Sequence, residues 1–179
     1  FLNKNVNAEG KYWLKLTTSY GASLVQAVTY GQGATDALEA FDSKAMSTGA
    51  DAFFSSVGTE KLVIQGRAPF MVNDIVPLGT KHFESGSFTI ALDAKIGLFA
   101  NGQAIYLHDK QLNTYTNLQN QNYTFSSAEG EYTNRFEIVY NNGLLATAEI
   151  VKSDFEIYRE NDHFVIRNAK KIDSVEIYD

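Results

Sequence analysis

The strongest constraint on this chain is an alternation of period two. Between Ala104 and Tyr140, Ile105 and Leu107 alternate with Tyr106 and His108, and Phe136, Ile138 and Tyr140 alternate with Arg135, Glu137 and Val139. Successive side chains of an extended strand point to opposite faces, so this spacing predicts strands with one buried face. Tyr12, Leu14 and Leu16, against Trp13 and Lys15, repeat the pattern, as do Phe88, Ile90 and Leu92. Aromatic and β-branched residues favour strands, and the chain holds 12 Phe and 10 Tyr but only 2 Pro.

Taken in order, residues 1–10 read as a polar linker or arm. Strands follow at 12–16, 24–30 and 62–66, with a hairpin between the first two. Residues 31–56 read as a long loop rich in small residues, with one helical turn over Asp36–Phe41 capped by Thr35. The segment 66–79, which carries Pro69 and Pro77, reads as an extended, turning connection. Asn101-Gly102 predicts a two-residue hairpin joining 96–100 to 103–108, and Asn142-Gly143 a second one. Further strands are expected at 114–118, 123–125, 135–140 and 144–151, then at 155–159, 163–167 and 174–178. About ten short strands with regular turns predict an all-β fold, an antiparallel sandwich of immunoglobulin-like or jelly-roll-like type. Residues 1–148 form that sandwich, and residues 149–179 a short appended meander.

Composition narrows function by exclusion. At 179 residues the chain buries enough surface to fold without staples. Its net charge is −6, with the two signs interspersed, which argues against nucleic-acid binding or a polybasic membrane patch. It has no cysteine, hence no disulfide, thiol nucleophile or Cys-ligated zinc. No apolar run reaches the length of about 18 residues that a spanning helix needs. The chain begins at Phe1, so a fragment or a processed form is expected.

Catalytic patterns are missing. His82, His108 and His163 are far apart and outside any HxH or HExxH spacing, and Gly21-Ala22-Ser23-Leu24-Val25 is not a nucleophile elbow. Gly31-Gln32-Gly33 lacks the third glycine of a dinucleotide loop. The expectation is a protein that is not an enzyme and carries no resident cofactor. One cluster stands out: Asp36, Glu39, Asp42 and Asp51 share the long loop. Asp36, Asp42 and Asp51 are the candidate ligand-binding residues, with calcium as the cation such oxygens would take. The competing reading is a solvated loop with local Asx turns. Trp13, beside Tyr12, is expected in the core, since neighbours on a strand face opposite ways and form no shared sugar platform.

Two stretches resemble known families. Residues 153–179, SDFEIYRENDHFVIRNAKKIDSVEIYD, resemble the opening of the type A C-terminal sorting domain of type IX secretion. The matching positions are the apolar strand Phe164-Val165-Ile166, the basic Lys170-Lys171, and Val175-Glu176-Ile177-Tyr178-Asp179. Most of residues 11–140 resemble the β-rich module that precedes this signal in exported, adhesin-like surface proteins. The carriers are YWLKLT, TYGQGATDALEAFD, LVIQGRAPFMVNDIVPLG and YTFSSAEGEYTNRFEIVY. Arg67-Ala68-Pro69-Phe70 departs from that pattern, where relatives more often place an apolar residue between Ala and Pro.

The resemblance implies a secreted or outer-surface location and a non-catalytic role as spacer or adhesion scaffold. The implied partners are the secretion and attachment machinery, acting on the strands that hold Phe164, Val165, Ile166, Val175, Ile177 and Tyr178, and glycans or other surface proteins. The alternative is a carbohydrate-binding module, calcium-stabilised, using the loop Gly31–Ser56. A hydrolase built on Asp36, Asp42 and Asp51 is a third class.

Overall fold

The computed structural model describes residues 8–46, 50–141, 156–160 and 163–167. The chain divides into two compact units, Phe1–Asn142 and Gly143–Asp179. The first holds eleven strands: β1 (Ala8–Thr18), β2 (Ser23–Gly31), β3 (Ser43–Lys44), β4 (Ala52–Val57), β5 (Glu60–Arg67), β6 (Ile75–His82), β7 (Gly86–Gly97), β8 (Tyr106–Asp109), β9 (Thr114–Asn117), β10 (Tyr123–Ser127) and β11 (Gly130–Val139). The described residues contain no helix. The all-β expectation therefore holds.

Where two antiparallel sheets were expected, hydrogen bonding runs through one sheet, in the order β10-β7-β1-β2-β5-β4-β6-β11-β8-β9, with β3 against β5. It curls into a nearly closed, barrel-like layer. The sheet is mixed, because β2 and β5 run parallel from Ala27↔Ile64 to Tyr30↔Arg67. A parallel pair needs a long crossover, and the segment holding β3 and β4 supplies it.

The core follows the period-two pattern. Tyr12, Leu14 and Leu16 face inward with Val28 and Tyr30, Val76 and Leu78, Phe88 and Ile90, Leu107, Phe136 and Ile138. Fully burying a side chain of this size contributes about 1.5–3 kcal/mol. Trp13 is not in the core: it lies half-buried on the outer face, with the Lys11 ammonium 4.4 Å from its ring centre.

Several local expectations change. Residues 8–10 belong to β1, not to an arm. The long loop contains β3 and β4, and Asp36–Phe41 forms turns without a helix. With no helix to cap, Thr35 closes a side-chain turn, its Oγ1 accepting from Ala37 N–H at 3.2 Å while its own N–H donates to Glu39. Pro77 lies inside β6, which was read as a connection. There β4 pairs with β6 only from Leu78 to Lys81, so the missing N–H of Pro77 disturbs no bond to β4. Asn101-Gly102 does form a turn, with Gly102 at φ 110°, but joins no hairpin. Strand β7 pairs with β1 and β10, whereas β8 pairs with β11 and β9, because Leu98–Gln103 folds into a wide turn that seats Phe99 in the core.

In the second unit β12 (Glu156–Glu160) pairs antiparallel with β13 (His163–Arg167). Phe164, Val165 and Ile166 lie in β13. The Asn142-Gly143 turn, the 144–151 strand, and Val175, Ile177 and Tyr178 lie outside the described residues.

Candidate functional site

The acidic candidates are already engaged in structure. Asp42 accepts from Glu39 N–H at 2.8 Å with Oδ2 and from Gly66 N–H at 2.9 Å with Oδ1, tying its turn to β5. Asp36 accepts from Ala68 N–H at 3.3 Å and lies 3.6 Å from the Arg67 guanidinium. Asp51, 8% exposed, accepts from Phe83 N–H at 2.9 Å and from the Tyr20 hydroxyl at 2.5 Å. Asp36 and Asp42 thus close on the end of β5, whereas Asp51 ties the start of β4 to the ends of β1 and β6. Among the described residues no group of three or more His, Asp or Glu is arranged to hold a metal ion.

Two ion-pair networks escape any local reading of the sequence. The first joins three inward phenols. The Tyr12 and Tyr140 hydroxyls lie 2.8 Å apart, as do those of Tyr30 and Tyr140. Tyr30 donates to Asp74 at 2.6 Å, and Arg67 grips the same carboxylate with Nε at 2.8 Å and Nη2 at 2.6 Å. Burial alone would raise the Asp74 pKa, but the Arg67 and Tyr30 hydrogen bonds outweigh it and hold it low. In the second network fully buried Asp109 accepts from Arg135 at 2.9 Å, from Tyr123 at 2.8 Å and from Gln111 N–H at 2.9 Å. Buried hydroxyls and guanidinium groups need such partners, and inward Tyr12, Tyr30 and Tyr140 were the signal available in the sequence.

His82 behaves differently. It is 1% exposed, its ring lies 3.7 Å from that of Phe88, and neither nitrogen has a hydrogen-bond partner among the described residues. Burial lowers its pKa to about 4; Asp51 opposes that shift and Arg135 adds to it. His108 pairs with Glu137 at 2.9 Å and stacks on Tyr115. His163 is exposed.

A groove of about 440 Å³ lies on the outer face over β4, β6 and β11. Its base is Phe54. A Cβ on Gly79 would lie 2.2 Å from the Phe54 ring, so only glycine lets that ring settle on the β6 backbone. One wall is a bulge. The ladder between β11 and β6 jumps from Tyr132↔Thr80 to Phe136↔Leu78, which leaves Thr133, Asn134 and Arg135 opposite Gly79 alone. The other wall is the two-residue turn Gly58-Thr59 between β4 and β5, with Gly58 at φ 58°. Lys61 donates to both Glu131 oxygens at 2.6 Å and sits 5.2 Å from the Phe54 ring centre.

A family described as a domain of unknown function, DUF8693, matches residues 2–140. The chain belongs to this family. The DUF8693 span contains every strand from β1 to β11, both ion-pair networks and the groove. No curated protein and no solved structure matches the chain. No helix among the described residues is long and apolar enough to cross a membrane.

Proposed function

We propose that the chain is a non-catalytic module of an exported bacterial protein, a β-scaffold that serves as spacer and adhesion surface beside a type IX sorting signal. The observation that carries this reading is the use made of the reactive-looking side chains. Asp42, Asp51, Asp74 and Asp109 each tie separate strands or turns together through two or more hydrogen bonds. Groups fixed in this way resist local opening, which suits a spacer that must stay folded outside the cell.

The resemblance of residues 153–179 to the sorting domain supports the location. The antiparallel pair β12–β13, which holds Phe164, Val165 and Ile166, is compatible with this reading: strand edges can present main-chain groups to a translocon or attachment enzyme without chemistry of their own. The test is deletion of everything from Ser153 onward. The intact deletion variant is expected to accumulate in the periplasm. Its normal display on the cell surface would overturn the sorting assignment.

A further inference from the structure

We propose that the groove over Phe54 is a binding site for a neutral glycan. The proposal is independent of how the module reaches its location. Three features of the groove point the same way. It is built by backbone irregularities on both sides: the β11 bulge and the Gly58-Thr59 turn. Bulges of this kind re-aim side chains and are enriched beside sites. Its volume, about 440 Å³, lies in the range of small-ligand clefts and gives room for a short oligosaccharide.

The lining chemistry then selects the ligand. Ser56, Thr59, Thr133 and Asn134 present hydroxyl and amide groups that have no side-chain hydrogen-bond partner among the described residues. They both donate and accept, as sugar hydroxyls do. The Lys61–Glu131 pair adds a strong donor and a strong acceptor while leaving the groove without net charge.

Other ligand classes fit less well. An anionic ligand meets Glu131 beside the only lysine of the lining, on a chain of net charge −6. An extended peptide adds to a long run of free strand edge, whereas the edge left open here is short: β4 pairs with β6 up to Ser55, and β11 pairs with β6 on either side of Thr133–Arg135. None of the acidic side chains of residues 31–51 lines the site.

Affinity electrophoresis of the whole chain tests this, in native gels that contain laminarin, starch, mannan, xylan or dextran, with heparin as the anionic comparison. At least one neutral polysaccharide is expected to retard the protein. Thr59→Ala and Asn134→Ala, each with an unchanged melting temperature, are expected to weaken that retardation about tenfold, a loss of ~1.4 kcal/mol, and Asp36→Asn to leave it unchanged. Retardation by none of the neutral polysaccharides, retardation by heparin alone, or full retardation of both alanine variants would overturn the proposal.

Discussion

The acidic segment from Gly31 to Asp51 and the groove over Phe54 both gather polar side chains, used in opposite ways. In the segment, carboxylates turn back onto the protein: Asp42 onto Gly66 and Glu39, Asp36 onto Ala68, Asp51 onto Phe83 and Tyr20. In the groove, hydroxyl and amide groups face outward from a base that glycine and a bulge have shaped. Sequence proximity of acids therefore marks a structural tie here, and the concavity with unengaged polar groups lies on other strands. A cluster of like residues along the chain says little until the partner of each is known.

The contrast can be broken first at Arg67, the anchor shared by Asp36 and Asp74. Removing one member of a buried pair leaves the other charge uncompensated, which costs about 3–5 kcal/mol. Arg67→Met is expected to lower stability by that amount in urea unfolding, with Asp74 and Tyr30 left facing an apolar side chain. A change below about 1 kcal/mol would show that the network is not what holds this end of the sheet.

The pH response is the next largest effect. His82 contacts Phe88, with Phe125 and Tyr132 nearby and Asp51 and Arg135 acting on its charge. Its folded pKa, about 4, lies below the ordinary value of 6.5. The unfolded chain therefore binds more protons between those values, and stability falls as pH drops from 6.5 towards 4. The loss is about 2–3 kcal/mol, and His82→Leu is expected to flatten the curve over that window. An unchanged slope in the variant would assign the acid sensitivity to other groups.

A direct pairing sharpens the contrast at the small end. Asp51→Ala removes the charged acceptor of two part-buried hydrogen bonds, from Phe83 N–H and the Tyr20 hydroxyl, and is expected to cost about 1–3 kcal/mol. Asn134→Ala, at an exposed position in the groove, is expected to stay within about 0.5 kcal/mol of the parent. Equal losses in thermal unfolding would erase the distinction between the two regions.

The core was legible because its alternation survives in single residues: Tyr12, Leu14 and Leu16, Phe88 and Ile90, Phe136 and Ile138 all face inward. Strand β4 was not, because Phe53, Phe54 and Ser55 are buried in succession, with Phe54 covered on the outer face, and so no period of two appears. Strand β6 was hidden by Pro77, whose tolerance depends on where β4 stops pairing. The Asn101-Gly102 turn was visible, but its flanking strands pair elsewhere, a choice made by contacts distant in sequence. The same limit applies to the site. Asp51 bonds to Tyr20 and Phe83, and Lys61 to Glu131, at separations that local spacing cannot report. The bulge at Thr133–Arg135 exists only relative to Gly79 on a different strand.

The most direct test of the central contrast is thermal unfolding of the whole chain with millimolar calcium and then with excess chelator. If the carboxylates of Asp36, Asp42 and Asp51 serve as ties to the backbone, the melting temperature stays the same in both conditions. A rise in calcium of several degrees that the chelator reverses, and that Asp42→Asn abolishes, would contradict the account and return the ligand site to the acidic segment.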